Sequence, residues 1–177
     1  PEAYKEDVSP REAIPDIVSL AALKEPVDSS VRLHDALGLP AGQHRFTLCR
    51  LGKSVELFEL LPVFASLGAH LLEERPYELS RADGQTAWVY DVTMKLPTHG
   101  SESLSADQAA RFCEAFLAAW RGESEVDGLN ALVSSTSLSW REVGWIRAWL
   151  QYARQLGSPF SYQYSERMIL SNGTIAE

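Results

Sequence analysis

The chain has 177 residues, of which 45% are hydrophobic and 10% aromatic, a composition that supports a hydrophobic core and argues against disorder. Its formal net charge of −8 argues against a nucleic-acid partner and an anionic membrane surface, because a surface that binds phosphate groups is usually basic. The sequence has no apolar run close to the roughly 20 residues that a membrane-spanning helix needs, so no membrane partner is expected.

The first predicted element is a helix that starts at Ser9. Ser9 can cap this helix, Pro10 suits its first position, and Glu12 completes a capping box. The segment Lys24-Glu25-Pro26 ends it.

The centre of the chain predicts a strand–helix–strand unit between Arg45 and Tyr77. Residues 45–51 are mostly apolar and β-prone, and Gly52 ends them. A helical pattern follows from Leu57, and residues 69–77 return as an extended run. Two strands joined through a helix in this way are expected to run parallel to each other.

Hairpins flank this unit on both sides. Residues 31–34 predict a short strand whose hairpin partner starts at His44. The turn signal Asp83-Gly84 joins the strand of residues 69–79 to a strand of residues 86–96.

The resulting element order, αββαββ, is that of an α+β domain. It corresponds to a permuted ferredoxin-like fold of the ACT type, in which the last helix and strand of the usual βαββαβ order stand first. We predict a four-stranded, antiparallel-rich sheet with two helices on one face, because a sheet must bury a face against something. The predicted spatial order of the strands is 31–36, 44–51, 86–96 and 69–79.

Residues 97–104 are polar and rich in chain-breaking residues, which makes them the best boundary in the chain. We therefore predict an ACT-like α+β domain over residues 1–96, a linker over 97–104 and an all-helical region over 105–177. Capping boxes at Ser105 and Ser139 mark the starts of two of its helices.

The helix that starts at Ser139 carries two neighbouring apolar stripes. One stripe contains Val143, Ile146, Leu150 and Ala153, and the other contains Trp145, Trp149 and Tyr152. A helix that is apolar over most of its girth is buried on more than one side. The first interpretation places the aromatic stripe in the core of the helical region, where aromatic side chains are common. The alternative is that Trp145, Trp149 and Tyr152 form an interdomain contact.

The two cysteines, Cys49 and Cys113, fall in a predicted strand and a predicted helix. Two thiols so far apart indicate buried free thiols in a reducing compartment, so we expect a cytoplasmic protein. The chain begins at Pro1 without a methionine and stops at Glu177 within a predicted helix, so we expect it to be part of a longer polypeptide.

The sequence carries no recognisable catalytic, cofactor-binding or metal-binding motif. Gly52-Lys53-Ser54 stands between a strand and a helix, but a phosphate-binding loop also requires a glycine where this chain has Thr47. No G-x-G-x-x-G stretch indicates a dinucleotide site, and no histidine has a second ligand at metal-binding spacing. The carboxylates of Glu125 and Asp127 are paired only in sequence. We expect no catalytic residue, no cofactor and no metal in this chain.

Several stretches together resemble the large-subunit class of NAD-specific glutamate dehydrogenases. They are residues 60–68 (LLPVFASLG), 73–77 (EERPY), 120–130 (WRGESEVDGLN), 138–143 (LSWREV) and 147–155 (RAWLQYARQ). Their order and spacing together are specific, and the resemblance covers most of the chain from about Tyr4 to Ala176. It implies an ACT-like domain and a helical region of the kind that precede the catalytic domain.

That family oxidises glutamate to 2-oxoglutarate and ammonia with NAD, so the resemblance implies NAD as the cofactor of the parent enzyme, bound by a domain that this chain does not match. The family usually has Ser where this chain has Phe58, at a position expected to cap the central helix. A lost cap costs about 1 kcal/mol.

The resemblance leaves two functions open. In the first, the chain is a structural and assembly element whose partners are the catalytic domain and other ACT-like domains of the parent chain, within a homo-oligomer. In the second, the ACT-like domain is an allosteric module that senses an amino acid.

The resemblance implies an effector loop formed by Leu51, Gly52, Lys53 and Ser54. Gly52 would let a ligand approach the backbone, and Lys53 with free helix-end amides would suit a carboxylate. The alternative for Gly52 is a role in an ordinary turn.

Overall fold

The computed structural model describes residues 2–25, 28–36, 38–97 and 103–176. Most of the predicted linker, residues 98–102, lies outside the described residues, as do Pro1, Pro26 and Glu177. The elements in chain order are α1 Glu2–Asp7, α2 Pro10–Ala22, β1 Ser29–His34, β2 Gln43–Leu51, α3 Leu57–Ser66, β3 His70–Ser80, β4 Thr86–Lys95, α4 Ala106–Trp120, a 3₁₀ turn Gly128–Asn130, α5 Ala131–Ser135, α6 Trp140–Gln155, α7 Tyr162–Ser171 and α8 Gly173–Ala176. No helix within the described ranges is long and apolar enough to cross a membrane.

The four strands form one sheet in the order β1-β2-β4-β3. Each neighbouring pair is antiparallel, with Leu48 opposite Tyr90 and Val89 opposite Tyr77. Because β2 and β3 are both antiparallel to β4, they run parallel to each other, as the strand–helix–strand pattern predicts. The predicted strand order and the α+β class are confirmed.

One face of the sheet forms the larger core. Phe46 and Tyr90 of this face pack against α3 and α4. The ring of Phe46 lies 5.0 Å from that of Phe64 on α3 and 4.8 Å from that of Phe116 on α4. The helix after β4 therefore packs beside α3 on the sheet, where it also contacts β1.

The other face of the sheet is covered by α1 and α2. Leu20 of α2 and Leu23 just beyond it form a second core with Cys49, Leu51 and Val89. The prediction that both helices lie on one face is therefore wrong for α2. The reason is that β2 and β4 carry buried apolar residues on both faces, and each face needs its own cover.

Two polar side chains, Asp16 and Arg81, hold α2 in place. The Asp16 carboxylate accepts a hydrogen bond from the Tyr4 hydroxyl at 2.8 Å and pairs with the Arg32 guanidinium of β1 at 2.7 Å. The Arg81 guanidinium, in the turn after β3, donates to the carbonyls of Leu20 and Leu23 at 3.0 and 2.9 Å. Arg81 thus satisfies carbonyls that the end of a helix leaves free.

The capping boxes predicted at Ser9, Ser105 and Ser139 are all present. The expectation that Phe58 stands at the cap of the central helix is wrong. Glu56 is the cap residue of α3, and its N–H donates to the Glu59 carboxylate at 3.0 Å. Phe58 lies in the first turn and is 71% exposed, so no cap is lost there.

Candidate functional site

The predicted effector loop is a tight turn between β2 and α3. Leu51 is fully buried, and the N–H of Gly52 donates to the Thr86 carbonyl at 2.8 Å. Gly52 has φ +79°, a value that favours glycine, and its carbonyl accepts from the Trp88 indole at 3.1 Å. Lys53 is exposed and has no hydrogen bond or ion pair with any residue that the structure describes.

The amides next to this loop already have partners. The Val55 N–H donates to the buried Tyr90 hydroxyl at 2.6 Å, and the Glu56 N–H donates to the Glu59 carboxylate. The Glu59 carboxylate also puts a negative charge where an anionic effector would have to bind. The conformation of Gly52 would let a ligand approach the backbone, but the Val55 and Glu56 amides are not free to bind it. The effector role of the loop stays a prediction.

The aromatic stripe of α6 lies on the surface. Trp145, Trp149 and Tyr152 are 68%, 71% and 52% exposed, and Trp149 contacts Tyr152 edge to face with ring centres 6.2 Å apart. The interpretation that these side chains form the core of the helical region is therefore wrong. The other stripe packs inward, with Val143 fully buried and Ile146 half-buried against the main core.

The exposed face of α6 also carries positive charge. Arg141 is exposed on this face, and its guanidinium stacks over the Trp140 ring at 4.4 Å. The Glu142 carboxylate, which is on the same helix, is engaged in the cap at Ser139. We call Trp145, Trp149 and Tyr152, with the neighbouring Arg141, the aromatic surface.

The opposite side of α6 is fixed by a buried polar junction. Arg147 is only 6% exposed, and its guanidinium donates two hydrogen bonds to the Asp127 carboxylate, of 2.7 and 2.8 Å. It also donates to the Asn130 side-chain carbonyl at 3.0 Å, while the Tyr162 hydroxyl donates to Asp127 at 3.2 Å. The hydrogen bonds that Arg147 donates to Asp127 raise the pKa of Arg147, and burial together with the Asp127 charge raises the pKa of Tyr162 to about 12.

The same junction reaches the ACT-like domain through α3. The Asn130 amide donates to the Ser66 hydroxyl at 3.3 Å and to the Glu125 carbonyl at 2.7 Å. The Ser134 hydroxyl donates to the Leu67 carbonyl at 2.7 Å. These contacts join α6, the 3₁₀ turn and the end of α3 into one hydrogen-bonded unit.

The sequence does not predict this junction. Glu125 and Asp127 are expected to be paired in sequence only, whereas both carboxylates lie beside Arg147, with the Glu125 contact at 3.6 Å. One signal was available: Arg147 follows Val143 by one helical turn, on the side of α6 that faces the core.

The described part of the chain contains no group of three or more His, Cys, Asp or Glu side chains arranged to hold a metal ion.

Three family models match the chain. The model of the glutamate dehydrogenase ACT3 domain matches residues 28–109. Models of helical motif 2 and helical motif 3 of glutamate dehydrogenase match residues 1–23 and 124–177.

Three curated proteins described as NAD-specific glutamate dehydrogenases match nearly the whole chain. An NAD-specific glutamate dehydrogenase of Mycobacterium tuberculosis is 38% identical over 95% of this chain, and one of Halomonas elongata is 30% identical over 93%. A third, of Pseudomonas aeruginosa, is 27% identical over 99%. The chain spans about a tenth of the length of these relatives. The three family models together match nearly the whole chain, which therefore belongs to the glutamate dehydrogenase family and corresponds there to the ACT3 domain with helical motifs 2 and 3 on either side.

Proposed function

We propose that this chain is a non-catalytic assembly and regulatory segment of a large NAD-specific glutamate dehydrogenase. The parent enzyme would deaminate glutamate oxidatively to 2-oxoglutarate and ammonia with NAD, as a cytoplasmic homo-oligomer. The names of the relatives support this activity. Because the chain covers only about a tenth of their length, the catalytic domain is proposed to lie in another part of the parent chain. The free, largely buried thiols of Cys49 and Cys113 fit a reducing compartment.

The aromatic surface carries the assembly role. Tryptophan, tyrosine and arginine are the residues most enriched at the energetic centres of protein interfaces, and α6 exposes all three together. Isolated surface hydrophobics need no explanation, but two exposed tryptophans one turn apart on one helix form a patch. Its partner, in this proposal, is the catalytic domain of the parent chain.

The buried polar junction supports the same role. Because Arg147 fixes α6 to the 3₁₀ turn and Asn130 fixes that turn to α3, a partner bound at Trp149 would hold the ACT-like sheet at a fixed orientation. A rigid support behind a contact surface reduces the entropy lost on binding.

Binding to a separately produced catalytic domain tests this proposal. Replacing Trp145 and Trp149 together by Ser should weaken binding by about tenfold or more, since interface anchors of this type are worth at least ~2 kcal/mol. Phe58→Ser is the matched control because Phe58 is as exposed as Trp149 but lies on α3. Equal affinities of the double variant and the unchanged chain would contradict the proposal.

The second candidate is an amino-acid sensor built on Leu51, Gly52, Lys53 and Ser54. Its support is the positive φ of Gly52 and the unpaired, exposed Lys53 among the described residues. A thermal shift with a panel of amino acids and 2-oxoglutarate tests it, because a ligand at a hundred times its dissociation constant stabilises by about 2.7 kcal/mol. A dose-dependent shift that disappears in Lys53→Ala would favour the sensor.

A further inference from the structure

A groove runs along α6 beside the aromatic surface. It lies between α6 and the loop that follows α4, and its lining includes Glu123, Glu125, Gly144, Trp145 and Ala148. Its volume is about 430 Å³, within the range of about 300–1,000 Å³ that is typical of clefts holding small ligands. Because Trp145 belongs to both, the groove is continuous with the aromatic surface.

The floor of the groove consists of small residues. Gly144 and Ala148 stand four positions apart, on the same side of α6. A Cβ atom at Gly144 would have nothing within 4 Å outside its own stretch of helix, so the space above it is open. The floor therefore has room for the methylene groups of a long side chain lying along α6.

The loop wall of the groove carries negative charge. Glu123 and Glu125 are both exposed. Among the described residues, the carboxylate of Glu123 has no hydrogen-bond or ion-pair partner, and that of Glu125 has only the 3.6 Å contact with Arg147. Both carboxylates are therefore available to a partner of opposite charge.

The two arginines that line the groove are already engaged. Arg147 donates two hydrogen bonds to Asp127, and the guanidinium of Arg141 stacks over the Trp140 ring. The indole of Trp145 is exposed, and the face of an indole attracts the charged group of a lysine or an arginine. The groove thus combines two features that recognise a cationic side chain, which are available carboxylates and an exposed aromatic ring.

We propose that this groove receives an arginine or lysine side chain of the catalytic domain, an inference that rests on the proposed function. The catalytic domain is the partner assigned there to the aromatic surface, which shares Trp145 with the groove. The cationic group would lie between the loop carboxylates and the Trp145 ring, with its stem over Gly144. Charge complementarity favours this occupant, because an acidic side chain would be repelled by Glu123 and Glu125.

Photo-crosslinking in the full-length parent enzyme tests the proposal. The photoreactive residue p-benzoylphenylalanine replaces Gln151, which is exposed and lines the groove, and the crosslinked peptide is identified by mass spectrometry. The same enzyme is also prepared with Glu123→Gln and Glu125→Gln together. Glu6→Gln with Glu78→Gln is the matched control, because both glutamates are exposed, have no ion pair among the described residues and lie outside the groove.

We expect a crosslink to a catalytic-domain peptide that contains an arginine or a lysine. Its yield should fall about threefold or more when Glu123 and Glu125 are both replaced, because the attraction for the cationic group is lost. The control pair should leave the yield unchanged. All the replaced side chains are exposed, so the variants should fold.

A crosslink to the catalytic domain whose yield does not depend on Glu123 and Glu125 would overturn this inference and leave the proposed function intact. The absence of a crosslink, or a crosslink to any other part of the enzyme, would also overturn it. The binding measurement with Trp145 and Trp149 replaced then tests the proposed function separately, so the two failures are distinguishable.

Discussion

The guanidinium of Arg147 and the carboxylate of Asp127 form a two-point ion pair in which Arg147 is 6% exposed. The two partners are 20 positions apart in the chain, and their contact fixes α6 to the 3₁₀ turn beside α3. A buried pair of this kind gains little net free energy over an apolar replacement, but losing one partner leaves a buried charge without compensation.

Asp127→Ala should therefore destabilise the chain by about 3–5 kcal/mol. The variant also removes the acceptor for the Leu129 N–H at the start of the 3₁₀ turn. The free energy of unfolding from urea titration measures the effect. Glu125→Gln is the control, since the Glu125 carboxylate is 70% exposed and 3.6 Å from Arg147, and it should change stability by less than about 1 kcal/mol. Similar losses in the two variants would show that Asp127 is not the main partner of Arg147.

A second prediction concerns the hydroxyl of Tyr90. It accepts the Val55 N–H at 2.6 Å inside the turn that leads to α3, and both residues are buried. Tyr90→Phe keeps the ring but leaves this amide unpaired, so we expect a loss of about 1–3 kcal/mol in the free energy of unfolding. Tyr152→Phe, on the exposed face of α6, should change it by less than about 0.5 kcal/mol. If Tyr90→Phe is also neutral, the Val55 amide does not depend on this bond.

The strands and most helix starts could be predicted from the sequence because local signals specify them. The pair Asp83-Gly84 favours a hairpin turn, and the capping boxes at Ser105 and Ser139 mark the starts of α4 and α6. The strand order came from the element order, because the permuted ferredoxin-like pattern assigns each strand its neighbours.

The face of the sheet on which α2 packs could not be predicted from local signals. The periodicity of a helix shows that it has an apolar face but not which surface covers that face. The exposure of Trp149 is a similar case, because an aromatic stripe looks alike whether its partner lies within this chain or beyond it. Arg147 was missed since the burial of a charge depends on a partner that only the folded chain brings near.

A third prediction concerns the pH dependence of stability. Burial, followed by the nearby Arg32 and Arg45 guanidinium groups, lowers the pKa of His34 from 6.5 to about 4, with Glu12 and Asp35 opposing the shift. The unfolded chain therefore takes up a proton on His34 below pH ~6.5 while the folded chain does not, so stability falls as the pH drops from about 6.5 to about 4.

His34→Gln should remove this part of the loss. Because His34 is only half-buried, solvent screening reduces the effect, and we expect the change between pH 7.5 and pH 5 to shrink by roughly 1 kcal/mol. Urea titrations at the two pH values measure it. A His34→Gln variant with the unchanged pH profile would contradict the assignment.

The last prediction separates backbone strain from packing at Gly68. Gly68 follows α3 with φ +74°, and a Cβ there would lie 3.1 Å from Pro97 Cγ and 3.3 Å from Ala131 Cβ, closer than ordinary contacts. Gly84 in the β3–β4 turn has a similar φ of +82°, but nothing lies within 4 Å of its Cβ position. Gly84→Ala should therefore cost only the left-handed backbone term of roughly 1–2 kcal/mol, while Gly68→Ala should cost about 1 kcal/mol more, since α3 and α5 must also move apart. Thermal unfolding of both variants measures the difference, and equal losses would show that α5 does not pack tightly against the end of α3.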